Sequence, residues 1–277
     1  MSSSLRLEPL SSQVPSGSRR RFAAVGIGMV AGAATLAIVL AEVLHALGWV
    51  ILGAILDAAL VPILLGSFVA SDRTRVNKLL PILALVALLR VLSVTTAIPR
   101  LPVATWYVTV GGALLIAEVA TIRFVDDAWR RLNLAFRRPA LDVLVAALGI
   151  PAGLAGFLLL RPAPLLSDEG PLPLLGGIVA LVVFAAFAEE LLFRGLLQSL
   201  AIDAFGSARW GLVYAGAMSA VMYLGSGSLP YTIAVGVYGL LLGAAILRGA
   251  SVWGASTSHG LALVGMAFLW PKLLGPT

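Results

Sequence analysis

Two adjacent carboxylates, Glu189 and Glu190, precede Arg194 in the stretch AEELLFRG (188–195), inside an apolar run from about Leu172 to Leu200. On a helix Glu190 and Arg194 are i,i+4 with the acid N-terminal, the order that favours an ion pair on one face. Glu189 is turned about 100° from Glu190. One carboxylate is therefore held by the arginine while the other is left to face a neighbouring helix. A carboxylate beside an ion pair in a partly desolvated cavity is placed to take a proton from water, the task of a general base. A structural ion pair between helices accounts for Glu190 and Arg194 equally well, but leaves Glu189 without a role. A second polar patch is WGASTSHG (253–260), in which His259 follows Ser256, Thr257 and Ser258. His259 lies about seven residues into the last apolar stretch, roughly 10 Å deep at ~1.5 Å per residue. Glu189 falls in the same half of its own stretch, so the two are expected to meet across one cavity. A packing role for a lone histidine is the alternative.

The remaining intramembrane charges are more isolated. A charge at a span centre costs roughly 2.5–3.5 kcal/mol on insertion scales, so each needs an explanation. Arg90 and Glu118 fall in consecutive spans and are expected to neutralise each other. Asp57 has no evident partner in the sequence and is expected to line a polar cavity. Glu42 and His45 lie near a helix end.

The elements that must position these groups follow from composition. The chain has 277 residues, 60% hydrophobic and 12% charged, with a mean hydropathy of +1.02. A soluble domain carries roughly 25% charged residues. The fold class is therefore all-α, a polytopic membrane helix bundle. Apolar stretches at 22–45, 49–70, 79–98, 103–122, 141–160, 173–200, 209–225, 230–247 and 252–270 give eight or nine spans, the seventh being short. The run from Phe22 is too long for a signal-peptide core and reads as a retained first helix. With the N-terminus cytoplasmic and nine crossings, 14 of the 19 Lys and Arg fall inside and three outside, leaving Arg90 and Arg194 within spans. So one-sided a distribution supports that topology, and the expected location is a bacterial inner membrane. The expected organisation is a disordered cytoplasmic tail (1–21), N-terminal transmembrane helices (22–171), a catalytic helical unit (172–270) and a short C-terminal tail (271–277). Glycine pairs four apart, Gly28/Gly32, Gly149/Gly153 and Gly239/Gly243, are candidates for close helix contacts. The absence of cysteine excludes thiol nucleophiles and disulfides, and two histidines leave little for a metal site. No metal and no cofactor is expected. The net charge of +6 is assigned to loops against an anionic lipid bilayer rather than to nucleic acid.

Residues 172–270 resemble a known family. EELLFRG is similar to the EExxxR motif of the CAAX protease and bacteriocin-processing (CPBP, or ABI) intramembrane proteases, and YGLLLGAAILRGASVWGASTSHG continues the likeness through Trp253 and His259. The resemblance implies peptide-bond hydrolysis in the membrane by a glutamate-activated water. Glu189 would be the base, Glu190 and Arg194 would organise it, and His259 would stabilise the oxyanion. Two departures mark a divergent branch. The second motif's histidine, four residues after a phenylalanine, is matched only by Tyr223 to Gly227, and the third motif's Asn/Asp position is Leu263. Tyr223, Ser226 and Trp253 are expected site-lining residues, with Ser226 and Gly227 bordering the cavity. The reading is an intramembrane endopeptidase acting on a membrane-anchored protein substrate, in the manner of sortase-like processors of C-terminal anchors. The alternatives are a catalytically inactive relative that binds a partner or confers immunity, a serine protease using Ser226 and His259, and a transporter with the acidic pair as proton site.

Overall fold

The computed structural model describes residues 16–71, 74–97, 102–165 and 170–275. It is 85% helical, with no strand among the described residues. The helices are α1 (Ser16–Ala46), α2 (Val50–Ala70), α3 (Leu80–Ala97), α4 (Val103–Phe124), the single turn α5 (Ala128–Arg131), α6 (Pro139–Leu160), α7 (Pro171–Phe205), α8 (Ala208–Val221), α9 (Leu229–Leu247) and α10 (Val252–Leu274). Residues 1–15 of the expected tail lie outside the described residues. Residues 16–21 are helical and extend α1.

Among the described residues, eight helices are long and apolar enough to cross a membrane. The stretch expected at 209–225 is the exception. Its helix α8 has 14 residues, about 21 Å at ~1.5 Å per residue, against a hydrocarbon core of ~30 Å. It gives way to a 3-10 turn at Leu224–Ser226, after which Gly227 takes the left-handed conformation, φ 72°. Large apolar side chains project outward from the helices, among them Met29, Leu36, Ile51, Val69 and Leu172. A surface of that kind suits lipid and not water. By contrast α3 is buried almost all round from Leu80 to Ala87. A helix apolar on every side belongs in the middle of a bundle, and α3 packs there against α2, α4 and α7.

Two expectations about the buried charges fail. Arg90 does not pair with Glu118. It reaches Glu42 on α1, with Nε and a terminal nitrogen donating to the two carboxylate oxygens at 2.6 and 2.5 Å. Consecutive spans give residues similar depth but do not fix the rotation of either helix, and α3 turns Arg90 toward α1. Glu118 is fully buried, and its two oxygens accept no hydrogen bond among the described residues. Asp57 does have a partner, His45 Nε2 at 3.2 Å. Gly53 makes room for that ring, since a Cβ there would sit 2.8 Å from it.

The glycine pairs divide. Among the described residues, a Cβ at Gly28 or Gly32 would meet nothing within 4 Å. Gly149 and Gly153 lay α6 directly on the backbone of α10 at Ser258 and Ala262, where a Cβ at 149 would run into the Ser258 carbonyl. Gly239 and Gly243 admit side chains of α7, as described below.

Candidate active site

The turn that carries the two glutamates, Ala188–Glu190, interrupts α7 between two wide π-helical stretches, Ala180–Phe187 and Leu191–Leu197. Such widened turns are frequent at functional sites, because they re-aim side chains out of the α-helical register. Arg194 and Gln198 follow one and two turns later and pack on α9 at the glycine pair. A Cβ at Gly239 would stand 2.6 Å from the Arg194 guanidinium. Gln198 Nε2 donates to the Gly243 carbonyl at 3.0 Å. The small residues of α9 thus let a cation and an amide enter an otherwise apolar helix contact.

Glu190 is 1% exposed and shared between two partners. Its Oε1 is 3.0 Å from His259 Nδ1. Its Oε2 is 3.2 Å from Arg194 Nε, an ion-pair contact lying off the N–H direction, so that oxygen accepts no hydrogen bond among the described residues. Arg194 also donates to Ser219 Oγ on α8 at 3.4 Å. Because a carboxylate only accepts, the His259 proton at this contact sits on Nδ1. Among the described residues His259 Nε2 then has no protein partner, and it is accessible. Glu189 is half-buried, and its environment is different. The Tyr223 hydroxyl donates to its Oε2 at 2.9 Å, while Oε1 has no hydrogen-bond partner among the described residues and stays accessible. Both open atoms belong to residues lining one cavity of about 390 Å³, which Arg194, Ser219, Tyr231 and Tyr238 also line.

His259 reaches this cavity because the start of α10 is fixed. Asp142 on α6 accepts from the Ser251 amide at 2.6 Å and from its hydroxyl at 3.1 Å. Ser251 in turn caps α10 by accepting from the Gly254 amide, satisfying one of the helix's orphan donors. Two turns on, Tyr238 stands edge-on to the His259 ring, centroids 6.5 Å apart. Its hydroxyl donates to Ser258 Oγ at 2.8 Å. On the outer side the rim is made by Pro151 and Ala155 of α6 and Val237 and Leu241 of α9, all exposed. The cavity therefore borders the apolar outer surface of the bundle.

Of the residues expected from the sequence, Glu189, Glu190, Arg194, His259 and Tyr223 come together here. Glu189 and His259 share the cavity, but the histidine's direct partner is Glu190. Trp253 stays outside the cavity. It stacks on Phe187 at 4.4 Å and 8° between planes, bracing α10 against the turn before the glutamates. Ser226 and Gly227 do not border the cavity. Both are exposed, and Ser226 Oγ accepts from the Ser228 amide at 3.3 Å. The change from α-helix to 3-10 turn carries them past the end of α8 and away from the acids. This placement takes Ser226, the nucleophile of the serine reading, away from His259. Ser219, Tyr231 and Tyr238 join the site from outside the set of sequence candidates. Tyr231 and Tyr238 lie seven apart, two turns on one face of an apolar helix, and their hydroxyls in that setting are the signal that marks them. Among the described residues no group of three or more His, Asp or Glu is placed to hold a metal ion.

Residues 171–264 match a family model described as Type II CAAX prenyl endopeptidase Rce1-like. The segment begins with α7 and ends in α10, so it contains every protein group described above as contacting Glu189 and Glu190. No match was found among curated proteins or among solved structures.

Proposed function

We propose, from the match of residues 171–264 to a Type II CAAX prenyl endopeptidase Rce1-like family model, that the chain is an intramembrane protease of the CAAX protease (CPBP) family, which hydrolyses a peptide bond of a membrane-anchored protein with a water activated by Glu189. The single observation that carries this is that Glu189 and His259, each with one atom free of protein partners among the described residues (Oε1 and Nε2), line one cavity. Oε1 takes a proton from water as the water oxygen bonds to the scissile carbonyl carbon. The proton passes to the leaving nitrogen as the C–N bond breaks, giving a carboxylic acid and an amine, between which the acid proton then redistributes. His259 acts as the imidazolium. Nδ1–H stays on Glu190 and Nε2–H donates to the developing oxyanion, a contact stronger in the transition state than in the ground state. Arg194 offsets the Glu190 charge and holds it in place. Tyr223 supplies, from the position of the second motif's aromatic residue, the contact to the base for which the motif's histidine is absent. The substrate enters from the bilayer past the apolar residues of the α6–α9 rim.

The one-sided distribution of Lys and Arg orients the chain with its N-terminus in the cytoplasm, in a bacterial inner membrane. The substrate class is a protein with a C-terminal membrane anchor, as for sortase-like processors. The second reading, an inactive membrane relative that binds a partner, draws on the exposed Gly227 where a histidine would otherwise stand. One experiment separates the two. Membrane proteins from cells expressing the wild-type chain or Glu189→Gln are compared by mass spectrometry of their protein termini. New termini next to membrane anchors should appear with the wild type alone. Identical termini in both strains would end the protease reading.

A further inference from the structure

The family match begins at residue 171, yet a buried charge of the N-terminal helices reaches the residue next to one that holds the site. Arg90 on α3, gripped by both oxygens of Glu42 on α1, also donates to the carbonyl of Met222. Met222 immediately follows α8 and immediately precedes Tyr223, the residue whose hydroxyl holds Glu189. We infer that Arg90 is a positioning residue for the Glu189 base, acting through Met222 and Tyr223. The inference rests on the protease reading above.

The physical case is a matter of what the end of α8 lacks. The last carbonyls of a helix have no intrahelical donor, and away from water each one left unpaired is costly. α8 stops short, so its terminal carbonyls face the interior. Met222 is 8% exposed. Arg90 satisfies its carbonyl and puts a cation at a helix C-terminus, where the macrodipole favours one. The next carbonyl, of Tyr223, accepts from Thr232 Oγ1 on α9 at 3.1 Å. The Tyr223 backbone is therefore held from both sides, by α3 through its predecessor and by α9 directly. Glu42 keeps the guanidinium from swinging, since a carboxylate that engages two guanidinium nitrogens fixes its plane. A second contact, Thr35 Oγ1 to the Tyr214 hydroxyl at 2.7 Å, ties α1 to the middle of α8. α1 also packs against the 3-10 turn that follows Tyr223. With the Arg90 contact gone, the last turn of α8 is free to unwind by one carbonyl, and a displacement of about 1 Å at Tyr223 is enough to degrade the alignment of a catalytic group.

The test uses the full chain in lipid nanodiscs with fluorotyrosine in place of its five tyrosines, read by fluorine NMR. The Tyr223 resonance is the one lost in Tyr223→Phe, and Glu189→Gln marks its position without the carboxylate acceptor. The key variant is the double substitution Glu42→Gln with Arg90→Met, which removes both charges and strands neither. It should move the Tyr223 resonance toward the Glu189→Gln position and leave those of Tyr107 and Tyr238 in place. Arg90→Lys, which keeps a donor for the carbonyl, should restore it most of the way. An unmoved Tyr223 resonance in the double variant overturns the inference. So does a shift of all five resonances, the sign of a general packing role. With a substrate identified from its termini, kcat should fall about tenfold in the double variant at unchanged KM, and Arg90→Lys should recover it. The fluorine measurement needs no turnover. Failure of the wild type to cleave would therefore remove the protease reading while leaving the Arg90–Tyr223 linkage to be judged by the spectrum.

Discussion

The protein places two acid–base clusters of nearly the same composition among its helices, and the one in the C-terminal half lines the 390 Å³ cavity while the other does not. In the N-terminal half, Glu42 and Asp57 are taken up by Arg90 and His45 at 2.5 Å and 3.2 Å. In the C-terminal half, Glu189 and Glu190 stand with Arg194 and His259. Each has two acids, an arginine and a histidine. The N-terminal set pairs within itself and with the Met222 carbonyl; the atoms it leaves over, His45 Nδ1 and Asp57 Oδ1, are buried, and none of its members lines the cavity. The C-terminal set gives both positive partners to Glu190, leaving Glu189 with a single tyrosine hydroxyl and one open oxygen. Charge content is thus a poor guide to reactivity inside a bundle. The informative quantity is which hydrogen-bonding atoms remain after all pairs are made, and whether they look onto a cavity.

The comparison can be broken most directly by neutralising one acid in each cluster. Glu189→Gln should lower cleavage of the identified substrate by roughly 10⁴-fold, the upper end for loss of a general base. Asp57→Asn should leave the rate within about twofold, as expected for a residue remote from the reacting atoms. Equal losses would erase the distinction. Stability should order the other way within the C-terminal set. Arg194→Ala strands Glu190 and should cost about 3–5 kcal/mol, whereas Glu189→Gln keeps a polar group at a half-open site. Thermal unfolding in detergent reads the difference, and matching midpoints would mean that the Glu190–Arg194 pair contributes little.

His259→Ala should reduce kcat by about 10²–10³-fold, the range for removing one oxyanion donor. Cleavage at the wild-type rate would return the histidine to a packing role. The smallest effect is expected from Gly227→His, which restores the absent motif histidine by sequence alone. Gly227 is exposed, off the cavity and at φ 72°, so a side chain there should cost about 1 kcal/mol and give no gain in rate. An increase in kcat would show that the turn after α8 can fold back onto Glu189.

Much of the site is legible in the amino-acid sequence. Helical spacing ties Glu190 to Arg194. The depth of His259 follows from counting residues, and alignment to a motif position picks out Tyr223. The same kind of reasoning assigns Arg90 to the wrong acid. Glu118 and Glu42 are both acids in spans adjoining the interior, and only the rotation of α3 about its axis decides between them. Ser226 is misplaced for a related reason. Extending α8 as regular helix to 225 keeps its successors in phase with the cavity, but the helix ends at Val221 and the tighter 3-10 turn changes that phase.

The sequence by itself determined that this is a helical membrane protein, which stretches are apolar and long enough to cross the bilayer, and that Glu189, Glu190, Arg194 and His259 are the candidates for its intramembrane chemistry. Apolar length and helical periodicity encode those facts locally, within one element at a time. The tertiary structure alone decided that Glu190 takes both cations, that Tyr223 takes Glu189, and that the N-terminal charges close on themselves. Those choices depend on the azimuth of each helix and on contacts between residues far apart in the chain, such as the 132 positions separating Arg90 from Met222. No periodicity within a single span records them.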